Sequence, residues 1–253
     1  MRRLTCLLSV LPVMVAVPLL IAQDWENKPY NTWDPIDVTK VLTDSPWVSL
    51  RSCFPHCVRR PGITFYRIRL LTAAPIRHAY LRYATFVPDK RQTIIDFQDL
   101  VEENTGNGAQ SLYNRFAKDN PDDIRLKGSD EYIVVSITAT AWPNLTNKHS
   151  MWPPKFEYSL PEAFIDMKLS DFEGKAFLST NSSPKIPIVR YDRPVWDSLG
   201  AKLWFPRHLP SGKDWLSPRD TKLRFILNGP GSCTKISATF DLRKLMYHGK
   251  LEL

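Results

Sequence analysis

Thr234–Leu242 carries the strictest alternation in the chain: Ile236, Ala238, Phe240 and Leu242 on one side, Lys235, Ser237, Thr239 and Asp241 on the other. A period of two sends successive side chains to opposite faces of an extended strand, so one face is expected in a core and the other in water. Tyr132–Ala141 is dense in β-branched residues and places Ile133, Val135, Ile137 and Ala139 on one face. Ile63–Leu71 sets Tyr66, Ile68 and Leu70 against Phe65, Arg67 and Arg69. Shorter runs at Lys155–Leu160, Lys175–Ser179, Ile186–Tyr191, Ala201–Phe205 and Thr221–Leu227 continue the pattern. Asn228-Gly-Pro-Gly-Ser reads as a hairpin connection, and Leu245–Leu253 is expected to complete the sheet.

Helical spacing appears in several places. Asp34 can cap a helix that Pro35 opens, with Val38, Val41 and Leu42 on one face and Ser45-Pro46 as its stop. Residues 48–62 then read as a loop. After Ala74-Pro75 the period lengthens to 3.6, with Ile76, Ala79, Tyr80, Tyr83 and Ala84 in one stripe. Helices follow at about 92–103 and 109–118, and one helical turn at Pro161–Met167. Residues 120–123 read as a loop. The economical architecture is mainly β (α+β): an antiparallel β-sandwich, Ig-like being one form of it, with a helical insertion between early strands. A two-layer α+β domain is the alternative. The expected divisions are 1–22 as a signal peptide, 23–62 as a leader with a short helix and a cysteine loop, and 63–253 as one sandwich domain with the insertion at about 75–118.

Arg2 and Arg3 precede an apolar run from Leu4 to Ala22, the pattern of an export signal. Pro12 and Pro18 interrupt the run, and Ala22 offers a cleavage point before Gln23. A retained anchor and a buried helix are the alternatives. The expected location is extracytoplasmic, periplasmic or secreted, with membrane contact only through an uncleaved segment. Losing Arg2 and Arg3 takes the formal charge from +8 to +6, too diffuse for a nucleic-acid face. High proline (21) with low glycine (10) excludes collagen-like and low-complexity classes.

Cys53, Cys57 and Cys233 follow the leader. An oxidising compartment favours a disulfide, and the tight Cys53–Cys57 pair is the first candidate. Pairing of either with Cys233, or a metal set of Cys53, His56 and Cys57, are the alternatives; no second half-motif accompanies that set. No metal or other cofactor is therefore assigned. The five histidines form no H-E-x-x-H, and His78, two positions off the apolar stripe, is expected to be exposed. The chain holds no G-x-S-x-G, no S-x-x-K and no phosphate-cradling glycine loop. Glu102-Glu103, Asp122-Asp123 and Asp130-Glu131 sit at element ends, where carboxylates are usually solvated. No catalytic residue is assigned.

The candidate binding residues are aromatic and cationic. Trp142, Trp152, Trp196 and Trp215, with Trp204 nearby, fall in or beside the proposed β-region loops. Tryptophans at one end of a sandwich can form a ligand platform, or they can plug the core. Arg77 and Arg82 lie on the first helix of the insertion and can meet an anionic envelope polymer.

Val41-Leu-Thr-Asp-Ser-Pro-Trp47, Phe205-Pro-Arg207 and Met246-Tyr-His-Gly-Lys-Leu-Glu-Leu253 resemble segments of a family of uncharacterised exported bacterial proteins. The resemblance implies a bacterial, extracytoplasmic setting and carries no activity. Under it the two sequons, at Asn144 and Asn181, have no meaning. The expected function is a non-catalytic binding or scaffold protein that contacts an envelope polymer or another exported protein. A hydrolase acting on an envelope or extracellular polymer is the alternative.

Overall fold

The computed structural model describes residues 24–53, 64–84, 123–140, 162–195, 199–229 and 235–253. Two antiparallel sheets dominate it. The larger contains β1 (Val48–Cys53), β2 (Thr64–Leu70), β3 (Tyr132–Thr140), β7 (Ala201–Pro206) and β6 (Arg190–Asp192), in that spatial order. The smaller runs β5 (Ile186–Pro187), β4 (Ala176–Ser179), β8 (Lys222–Asn228), β9 (Lys235–Asp241). Their inner faces share one core. Phe205 of β7 meets Phe225 of β8 edge-on at 6.1 Å, and the Arg51 Nε of β1 donates to the Ser237 carbonyl of β9. The antiparallel sandwich with an early helix is therefore the architecture of the protein.

Alternation decides the burial of β8 and β9. Leu223, Phe225 and Leu227 are buried beside Ile236, Ala238 and Phe240, while Lys222, Arg224 and Lys235 are exposed. β3 behaves differently: Ile133 and Val135 are buried, and so are Val134 and Ser136 on the opposite face. Helices explain the second burial. α1 (Pro35–Asp44) is capped by the Asp34 side chain, which accepts from Ile36 N and Asp37 N, and α2 (Ala74–Ala84) packs beside it. Arg69, buried on the outer face of β2, donates from Nε to the Leu42 carbonyl of α1 and lies 5.8 Å from the Tyr80 ring of α2. A charged residue on a covered face is tolerated because its donors are used, here also by Thr138 Oγ1 at 3.0 Å.

Several sequence expectations need correction. Val48–Cys53 is a strand and not a loop; its Val-Ser-Leu-Arg-Ser alternation pairs in register with β2, from Val48 opposite Arg69 to Cys53 opposite Thr64. Two tryptophans of the expected leader belong to the core. Trp25 and Trp33 are fully buried, meet at 5.4 Å, and join Trp47 and Tyr247 in one aromatic cluster. The C-terminal segment does not extend either sheet. β10 (Met246–Tyr247) and β11 (Lys250–Leu251) form their own hairpin around His248 and Gly249, both at positive φ. Beyond the expected loop at 120–123, Asp123 caps a helical turn, α3 (Ile124–Lys127). The expected turn near Pro161 is α4 (Glu162–Ile165), whose Phe164 meets Tyr66 at 6.0 Å and Phe172 at 6.3 Å. The apolar run at 4–22, the helices expected at 92–103 and 109–118, and the strand expected at Lys155–Leu160 lie outside the described residues.

Candidate functional site

β7 alternates Ala201, Leu203 and Phe205 inward with Lys202, Trp204 and Pro206 outward. Trp204 thereby reaches the outer face of the larger sheet, where β6 places Arg190 directly across from it and Asp192 across from Lys202. The Arg190 guanidinium lies 4.4 Å from the Trp204 ring centroid. Asp192 holds it in a fork, with Nε at 2.9 Å and Nη2 at 3.0 Å, and also accepts from Trp204 Nε1 at 2.9 Å. Tyr132 meets the indole edge-on at 5.8 Å. Such a stack contributes only about 0.5–1 kcal/mol at an exposed site, so its effect is orientation more than stability. The Arg190 side chain is 60% exposed. Asp192 uses two of its five N–H groups, and the other three are left to face solvent or a ligand.

Just inside this corner, Tyr191 points to the core and donates its hydroxyl to the Phe164 carbonyl. Burial raises its pKa, and the Asp171 and Asp192 carboxylates raise it further. Its hydroxyl is held in the neutral form as a donor to that carbonyl. Asp192 accepts three hydrogen bonds, two from Arg190 and one from Trp204, which fix its position on the sheet.

The second polar cluster surrounds His78. The imidazole was expected to be exposed; instead it stacks on Tyr30 at 4.2 Å and approaches Tyr247 at 6.2 Å. Burial pushes its pKa down to about 4, with help from Arg77 and His248. Its Nδ1 is buried without a hydrogen-bond partner among the described residues, as is Trp25 Nε1. The leader causes this burial: Tyr30 sits in a 3-10 turn (Tyr30–Thr32) that packs against α2.

The residues singled out from sequence are scattered. Trp142, Trp152, Trp196, Cys57 and Cys233 lie outside the described residues, and of Cys53 only its place at the end of β1 is described. Trp215 is buried, and its indole donates to the Pro184 carbonyl at 2.6 Å; it plugs the core and presents no platform. Arg77 donates to the carbonyls of Thr72 and Leu126, and Arg82 to that of Trp33. Burial lowers the Arg82 pKa. These two guanidiniums staple α2 to its neighbours. The parity of Trp204 with Lys202, opposite Leu203 and Phe205, is the sequence signal for its outward position on β7.

Among the described residues no three His, Cys, Asp or Glu side chains group as metal ligands. Asp123 caps α3 and pairs with Arg125 at 2.6 Å, and Asp220 is consumed by the turn hydrogen bonds of Ser182, Ser183 and Ser217. Against protein-family models, curated proteins and solved structures, the chain finds no match.

Proposed function

We propose that this protein is an exported, non-catalytic binding domain whose ligand engages the outer corner formed by Trp204, Arg190, Asp192 and Tyr132. One observation carries the reading. Of the described tryptophans, Trp25, Trp33, Trp47 and Trp215 are buried, whereas Trp204 is half-buried on a strand and oriented by a charged pair. A large amphipathic ring fixed on a rigid element offers contact area at little entropic cost, as binding hot spots do. The partner class is an envelope polymer or another exported protein.

The test uses the mature chain beginning near Gln23, screened on a glycan array and by pull-down beside a panel of hydrolase assays. Trp204→Ala and Arg190→Ala are each expected to weaken capture at least tenfold with little loss of fold, since both side chains reach the surface. Turnover abolished by one Asp, Glu, His or Ser substitution overturns the reading. Export is checked separately by intact mass from the extracytoplasmic fraction. The Cys53–Cys57 disulfide is checked by non-reducing peptide mapping, where a Cys233-containing cross-link excludes it.

A further inference from the structure

The outer face of the smaller sheet carries a regular grid of cations. Cross-strand register builds it row by row. Lys175, just before β4, Asn228 and Lys235 form the first row: Asn228 N donates to the Lys175 carbonyl and Asn228 pairs with Lys235. Phe177, Ile226 and Ser237 form the second, with Pro187 beside Phe177. Ser179, Arg224 and Thr239 form the third, and Lys222 and Asp241 the fourth. Lys185 lies over the Phe177 ring, 4.7 Å from its centroid. Lys175, Lys185, Lys222, Arg224 and Lys235 are all exposed. The one carboxylate in the grid, Asp241, is forked by Arg243 at 3.0 and 2.8 Å and cannot neutralise them.

We infer that this face binds an extended anionic polysaccharide laid across β4, β8 and β9. Strand geometry sets the scale. Lys222 and Asn228 bound β8, so the cations spread over roughly 20 Å at about 3.4 Å per residue. A single small anion needs converging donors, and these diverge along a ladder. A polymer with repeated carboxylates or sulfates matches the spacing, and Ser179, Ser237 and Thr239 supply hydroxyls between the charges. The apolar strip of Phe177 and Ile226 is half-buried, with Lys185 over its ring. It offers apolar contact for the face of a sugar between the charged rows. This surface is separate from the Trp204 corner, which belongs to the other sheet.

The probe is polygalacturonate, compared with neutral dextran in affinity electrophoresis of the mature chain. Retardation by polygalacturonate alone is expected, fading as salt rises because exposed charges are screened. The combined variant Lys222→Ala, Arg224→Ala, Lys235→Ala is expected to lose at least tenfold in affinity. A charge-matched control, Lys168→Ala, Arg193→Ala, Lys213→Ala, removes exposed cations elsewhere and is expected to stay within about twofold. Trp204→Ala is expected to keep this binding, which separates it from failure of the corner site. No retardation of the wild type, equal loss in the control, or preference for anionic lipid vesicles or single-stranded DNA over polygalacturonate each overturns the inference.

Discussion

Trp47 donates its indole N–H to the Glu252 carbonyl at 2.8 Å, joining positions 205 apart in the chain. The same tail makes two further long-range links. The Glu252 carboxylate accepts from Ala74 N at the start of α2, and Arg207 Nη2 donates to the Leu253 backbone oxygen. The three short segments ending in Trp47, Arg207 and Leu253 thus meet in space. Residues 252–253 tie these segments to the start of α2 and to one another.

These links predict a stability cost without any loss of binding. Trp47→Phe keeps an aromatic ring but strands a partly buried carbonyl, an effect of about 1–3 kcal/mol. Glu252→Gln keeps the acceptor and removes a negative charge from a helix N-terminus, about 0.3–1 kcal/mol. Urea unfolding measures both. A Trp47→Phe change of only a few tenths would show the link to be inert.

Phe240→Ala is expected to destabilise by roughly 3–5 kcal/mol, because a buried ring leaves a cavity in a shared core. Lys235→Ala, on the exposed face of the same strand, is expected to stay within about 0.5 kcal/mol. Equal effects would mean that the alternation does not set burial.

Sequence revealed the sheet where one face is dry and the other wet. Ile236, Ala238 and Phe240 show it without ambiguity. It failed where burial comes from elements distant in sequence. Trp25 and Trp33 look like leader residues until Trp47 and Tyr247 are brought against them. His78 looks exposed on its own helix, and the neighbour that covers it, Tyr30, lies outside that helix. Val48–Cys53 was hidden because the cysteines and prolines after it suggested a loop. The candidate site was half legible: alternation along 201–206 places Trp204 outward, whereas Trp215 lies outside the strands and is buried against Pro184, which is distant in sequence.

The half-buried His78 predicts acid sensitivity. Its folded pKa, about 4, lies below the unfolded value near 6.5. The unfolded chain therefore binds more protons between these values, and stability falls as pH drops from about 6.5 towards 4. Its contribution is fully present above pH 6.5. The span corresponds to at most roughly 3 kcal/mol. His78→Gln is expected to flatten the stability profile in this window, measured by urea unfolding at pH 7 and pH 5. An imidazole resonance titrating near 6.5 in the folded protein would contradict it.

Asp220 governs a lower window. Burial pushes its carboxyl up, but hydrogen bonds from Thr180, Ser182, Ser217 and Ser183 outweigh that and hold it near about 2. A depressed carboxylate stabilises above its unfolded pKa, near 3.9, and the gain disappears as pH falls towards 2. Asp220→Asn is expected to lower stability at pH 7 and to remove part of the loss between pH 4 and 2. A variant that tracks the wild type across both ranges would show that the turn does not depend on the charge.

Gly200, in the β6–β7 connection, lies against the backbone of β3. It adopts φ +78, and a Cβ there would overlap the Ile137 carbonyl oxygen and sit 2.7 Å from Thr138 Cγ2. Ile137 pairs with Ala201 in the ladder, so the carbonyl cannot withdraw without loosening β3 from β7. Gly212 has nearly the same backbone, φ +76, but nothing within 4 Å of its Cβ position. Gly212→Ala therefore isolates the left-handed backbone cost, about 1–2 kcal/mol. Gly200→Ala carries that cost and an overpacking penalty as well, for roughly 2–5 kcal/mol in all. Thermal unfolding of the two variants side by side reads the difference directly. Comparable losses would mean that the connection yields at Gly200, and that β7, with Trp204 on its outer face, is held less firmly than the geometry requires.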